Sequence, residues 1–158
     1  MVWVKGLAAV KLPGRMNIVS RRPLIVLDGG HNPGAAHNLN EALRQYFKPT
    51  DATEPAGKSI LVIGISSDKD IPGIIRELAP VFTVVIATRA RSPRSAQPET
   101  IAAEFARYGI MALTRDTVAK AIAEAQKAAT EDDLICVTGS LYVVGEAIEY
   151  LEEYRGNH

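Results

Sequence analysis

Residues 23–34 read Pro-Leu-Ile-Val-Leu-Asp-Gly-Gly-His-Asn-Pro-Gly. A short apolar run passes into a polar, glycine-rich turn, and helix-forming signals follow at once. A strand–turn–helix unit of this kind commits the segment to an α/β sheet. It puts Asp28 and His31 at the carboxyl end of a strand, where open α/β sheets bind ligands.

The same alternation continues along the chain. Apolar runs bounded by turn signals predict strands at 16–20, 24–27, 59–65, 82–87, 110–113 and 134–138. Segments with helical spacing predict helices at 35–47, 71–79, 99–108, 117–129 and 141–154. Leu39, Leu43 and Phe47 share one face of the first of these. The run at 59–65 is nearly continuous in apolar residues, as expected of a strand covered on both faces. The expected fold is a three-layer, Rossmann-like open sheet of about six strands, mostly parallel, with helices on both faces. One domain over residues 1–158 is the default for this length.

Bulk properties narrow the function. Eighteen basic and eighteen acidic residues cancel, which argues against a sequence-independent nucleic-acid binder. Cys136 is alone, so no internal disulfide forms, and a reducing, cytoplasmic setting fits. No apolar run approaches the roughly 20 residues that span a bilayer, so no membrane partner is expected. Residues 1–5 lack the layout of a signal peptide. Gly57-Lys58-Ser59 is no phosphate loop: the glycine required five positions earlier is replaced by Ala52, and the strand follows instead of preceding. No GxGxxG fingerprint follows the strong strand at 24–27, which disfavours a dinucleotide.

Loops leaving strands carry Asp28, His31, Ser66, Ser67, Asp68, Lys69, Arg89, Arg91, Ser92, Arg94, Thr138 and Ser140. Loops entering strands carry Lys48, Asp51, Glu54, Lys58, Glu131, Asp132 and Asp133, and form the more acidic edge. The carboxyl edge thus gathers cations, hydroxyls and helix N-termini, which favour an anionic ligand such as phosphate or carboxylate. Gly29 and Gly30 let the backbone take positive φ and approach a ligand closely. Asn32 can cap the following helix, with Pro33 at its first position. Asp, two glycines and His together exceed what a turn needs, so a ligand role is the better reading of that turn. His37 reads as helix surface. Ser67 or Asp68 can cap the helix that Pro72 helps start. Lys69 carries the wrong charge for a helix N-terminus unless it meets an anion, and the residues alone leave ligand contact and solvated lysine evenly matched. The same balance holds for Arg89, Arg91 and Arg94. Ser140 reads first as an N-cap and second as a ligand contact. Pro13-Gly14-Arg15 is a turn with one arginine.

These pieces, in this order, resemble the C-terminal domain of folylpolyglutamate and dihydrofolate synthases, a branch of the Mur ligase family. The likeness rests on Leu12-Pro13-Gly14-Arg15, on the Asp28-Gly-Gly-His-Asn-Pro33 turn, on Ser67-Asp-Lys-Asp70, on residues 89–95 and on the Thr138-Gly-Ser-Leu-Tyr-Val-Val-Gly-Glu146 segment. The resemblance covers essentially the whole chain. It implies an ATP-dependent ligase that phosphorylates a carboxylate and lets L-glutamate attack the acyl phosphate. Arg15, Asp28 and His31 would then contact the nucleotide, with Asp28 toward the ribose. Lys69, Ser140 and Arg94 would bind the glutamate substrate, Lys69 and Ser140 toward its carboxylates. A folate or pteroate would be the other substrate. The P-loop and the Mg2+ ligands belong to an N-terminal domain absent from this chain, supplied in cis or in trans. No catalytic residue is certain here, no metal ligand is expected, and the chain alone should not catalyse ligation. Gly30 stands where the motif often has alanine, a change expected to matter little. The alternative is a non-catalytic module of the same shape that binds a phosphorylated metabolite or a protein partner.

Overall fold

The computed structural model describes residues 2–3, 16–46 and 57–157. Along the chain run β1 (Val2–Trp3), β2 (Asn17–Arg22), β3 (Leu24–Asp28), α1 (Pro33–Tyr46), β4 (Ser59–Ile63), α2 (Ile71–Leu78), β5 (Val84–Ala87), α3 (Pro98–Ala106), β6 (Leu113–Thr114), α4 (Val118–Ala128), β7 (Leu134–Thr138) and α5 (Leu141–Asn157). The strands form one seven-stranded sheet in the order β1-β2-β3-β7-β4-β5-β6. From β3 to β6 every pairing is parallel, while β1–β2 and β2–β3 are antiparallel.

Residues alternate across the sheet between two cores. Val26, Leu61, Val85 and Cys136 face one core with Leu39, Leu43, Ile74 and Phe105 of α1, α2 and α3. Ile25, Leu27, Ile60, Val62, Ile86 and Val137 face the other with Val118, Ile122, Ala147 and Leu151 of α4 and α5. Burial on both faces is why these strands read as apolar runs and not as alternating patterns. The placement of helices follows from handedness. The chain steps one way along the sheet from β3 to β4, β5 and β6, so right-handed crossovers put α1, α2 and α3 on one face. It then reverses to insert β7 between β3 and β4, which puts α4 on the other.

The expected architecture holds, with specific corrections. The sheet has seven strands, because Val2–Trp3 pairs with β2. The strand expected at 110–113 is the two-residue β6. Ile110 and Ala112 pack against the first core, but only Leu113 and Thr114 pair with β5. The α2 cap is Asp70, whose side chain accepts the Gly73 N–H, and neither Ser67 nor Asp68. Neither Gly29 nor Gly30 takes positive φ; among described residues only Gly109 and Gly139 do. Glycine at position 30 answers to space. A Cβ there would stand 2.8 Å from the Ala35 Cβ and 3.0 Å from Asp28 Oδ1, so alanine is not an indifferent replacement.

Candidate functional site

Four neighbouring strands of the sheet end in the loops that matter. β3 leads to His31, β7 to Ser140, β4 to Lys69 and β5 to Arg94. These residues line one shallow concavity with Ser66, Asp68, Leu141 and Tyr142. Its volume is about 150 Å³, room for a carboxylate or phosphate group. Three helices begin beside it, α1 after His31, α2 after Lys69 and α5 after Ser140. Their N-terminal ends add partial positive charge to that of the side chains.

Local chemistry holds each group in place. Asn32 Oδ1 accepts the Ala35 N–H at 2.8 Å and caps α1. His31 Nδ1 lies 3.3 Å from the Gly29 carbonyl oxygen. A carbonyl can only accept, so Nδ1 carries the hydrogen of that bond, and Nε2 has no partner among the described residues. Ser140 is 6% exposed. Its Oγ accepts the Tyr142 and Val143 N–H groups at 3.0 and 3.4 Å, so it caps α5 while its own O–H remains able to donate. The two readings of Ser140 are therefore compatible. Gly139 takes a φ of 110°, and a Cβ there would overlap the Gly64 carbonyl oxygen. Only glycine lets this turn pass that close to the end of β4.

Lys69 Nζ lies 4.0 Å from Asp68 Oδ2, a loose and exposed pair. Among the described residues no carboxylate pairs with Arg94. Lys69 and Arg94 bring two cations to the concavity and Ser66, Ser140 and Tyr142 bring hydroxyls, against the single carboxylate of Asp68, a balance that favours an anion. No group of three His, Cys, Asp or Glu side chains stands together among the described residues.

Asp28 does not line the concavity. It is 7% exposed, and its Oδ1 accepts the Gly30 N–H at 2.7 Å. Its backbone carbonyl accepts the Thr138 hydroxyl at 2.7 Å, tying β3 to β7. Burial raises the Asp28 carboxyl above its usual pKa, against the lowering pull of the Gly30 N–H. The three arginines of the β5 loop part company. Arg91 turns to Glu146 and Glu149 of α5, Arg89 donates to Gln97 at 3.4 Å, and Arg94 alone reaches the concavity. His37 is a surface residue 3.5 Å from Glu77. Arg15 lies outside the described residues. Tyr142 was missed as a site residue. It is 57% exposed, yet an aromatic in the first turn of a closing helix reads as core.

The family model described as Mur ligase, glutamate ligase domain matches residues 14–141. The chain belongs to this family. Within the Mur ligase glutamate ligase domains, a Halobacterium salinarum protein called probable bifunctional folylpolyglutamate synthase/dihydropteroate synthase is 34% identical over 145 residues, covering 90% of this chain and 17% of that protein. The solved structure of E. coli FolC in complex with DHPP and ADP superposes with a TM-score of 0.79 at 30% identity, over 94% of this chain and 33% of that one. A bifunctional folylpolyglutamate synthase/dihydrofolate synthase with Mn, AMPPNP and L-glutamate bound gives 0.78 at 31% identity, over 91% of this chain and 32% of that one. This chain spans about a third or less of these relatives. No helix among its described residues is long and apolar enough to cross a membrane.

Proposed function

We propose that this chain is the glutamate- and nucleotide-contacting domain of an ATP-dependent ligase joining a folate or pteroate carboxylate to L-glutamate. The observation that carries the reading is the convergence of His31, Lys69, Arg94 and Ser140, from four neighbouring strands, on one anion-sized concavity. It is supported by membership of the glutamate ligase domain family.

When bound, ATP supplies the phosphoryl group that turns the substrate carboxylate into an acyl phosphate. Glutamate's amine then forms the amide bond as phosphate leaves and the nitrogen gives up a proton. This chain's part is positioning. Lys69 and Arg94 are fixed cations for glutamate's carboxylates, and the Ser140 hydroxyl with the α5 N-terminus adds neutral donors. Holding the nucleophile in register is worth a large part of such a barrier. The nucleotide role is assigned to Arg15, Asp28 and His31. An ionised Asp28 is acceptor-only and suits ribose hydroxyls, which donate. Closure against a P-loop domain, in cis or in trans, would exclude water and strengthen these contacts. Magnesium is assigned to that other domain.

The test is steady-state ADP formation by the ligase assembled from this chain and a P-loop domain. Lys69→Ala and Arg94→Ala should each raise KM for glutamate roughly tenfold or more, the worth of one charge-assisted hydrogen bond, with KM for ATP little changed. Asp28→Ala should do the reverse. Glutamate KM values unmoved by both cation variants would contradict the reading.

A further inference from the structure

We infer that Glu146 is a positioning residue that anchors the β5–α3 loop to helix α5 and so sets where Arg94 stands. The inference rests on the ligase reading above. The loop carries Arg94 between two sets of ties. On one side the Arg91 N–H donates to Glu146 Oε2 at 2.7 Å. The Arg91 guanidinium lies 3.3 Å from Glu146 Oε1 and 2.7 Å from Glu149 Oε2. On the other side the Arg94 carbonyl accepts the Ser67 N–H at 2.7 Å, and the Ala96 N–H donates to the Ile65 carbonyl at 2.9 Å. The Ser95 hydroxyl closes the loop on itself by donating to the Ala90 carbonyl at 2.9 Å.

Glu146 and Glu149 are not equivalent. The Glu149 side chain is 66% exposed and the Glu146 side chain 16%, so solvent and salt screen the first far more. Glu146 also takes a backbone N–H, which a substitution of Arg91 leaves in place. Helix α5 begins at Ser140's cap, about 9 Å along its axis from Glu146 at the helical rise per residue. One rigid element thus carries both Ser140 and the carboxylate that holds the loop of Arg94. Fixing the loop to that helix fixes two ends of the concavity relative to each other.

The experiment is a double-mutant cycle on the assembled ligase, read as KM for glutamate, KM for ATP and kcat. Glu146→Ala should raise KM for glutamate roughly tenfold, as expected from a small misplacement of a binding group. KM for ATP and kcat should stay within about twofold. Glu146→Gln keeps an acceptor for the Arg91 N–H and should recover part of the loss, and it covers the case in which Glu146→Ala folds poorly. Arg91→Ala should cost less than Glu146→Ala. The deciding arm is epistasis: in an Arg94→Ala background, Glu146→Ala should add no further rise in KM for glutamate. An equal rise in both backgrounds overturns the inference, since Glu146 would then act other than through Arg94. So does an unchanged KM in Glu146→Ala while Arg94→Ala still raises it, and that outcome leaves the ligase reading intact. An Arg94→Ala enzyme with unchanged KM for glutamate brings down Arg94's assigned role, and this inference with it.

Discussion

Asp28 and Asp133 are both buried carboxylates, yet their pKa values move in opposite directions. At Asp28 burial dominates and raises the value. At Asp133 burial also raises it, but the Thr130 and Lys58 N–H groups and the Lys58 ammonium outweigh that and lower it. The consequences for stability have opposite signs. Asp28 holds its proton more tightly folded than unfolded. Its contribution is present below the unfolded carboxylate range near pH 3.9 and is lost as pH rises through the folded value. Asp28→Asn should therefore raise Tm at pH 7, with the gain shrinking toward pH 4. A variant less stable at pH 7 would contradict this. Asp133 contributes above the unfolded range and loses that contribution as pH falls through its depressed folded value. Asp133→Ala should cost about 2 kcal/mol at pH 7 by denaturant unfolding, because it strands two N–H groups. That cost should diminish in acid, and a pH-independent cost would refute the assignment. Much at this scale was readable in advance. Asn32 and Ser140 stand directly before helical runs, where polar residues cap. The α2 cap was not, because Ser67, Asp68 and Asp70 are all competent and only packing selects Asp70. The reason for Gly30 was hidden as well, since it lies in the distance to Ala35 across the turn.

Elements were legible where two-sided burial writes itself into composition. The strands β3, β4, β5 and β7 are runs of Leu, Ile and Val because helices cover both sides. β6 was misplaced because Ile110 and Ala112 satisfy a strand pattern while packing from outside the ladder. Where elements meet at the carboxyl edge, glycines set the spacing. Gly139→Ala meets both a positive φ and the Gly64 carbonyl, so it should cost about 3 kcal/mol. It should also displace Ser140. Chemical denaturation checks the first consequence and glutamate KM the second. A variant of wild-type stability would contradict the close approach. Gly30→Ala should cost less, about 1 kcal/mol, since the Cβ contact it creates is less severe.

The strand order is a property of the whole molecule, and composition does not reveal it. Nothing in residues 134–138 says that β7 enters between β3 and β4; the reversal of direction after β6 does that. The reversal makes neighbours of the loops after β3, β7, β4 and β5, so residues far apart in the chain share one concavity. The sequence therefore showed which residue types crowd the carboxyl edge, but not that Arg94 would separate from Arg89 and Arg91. An anion held by exposed cations should bind more weakly as salt rises, because such charges are screened at physiological ionic strength. Phosphate affinity of the chain, measured by calorimetry at low and high salt, should fall steeply, and an affinity flat in salt would count against this electrostatic origin.

The most direct test of the central claim is a titration of the 15N-labelled chain with L-glutamate, followed by amide chemical shifts. Saturable shifts are expected, confined to the turns bearing His31, Lys69, Arg94 and Ser140 and abolished by Lys69→Ala with Arg94→Ala. Saturable shifts centred elsewhere, such as on the cleft between Arg89 and Lys120, would contradict it.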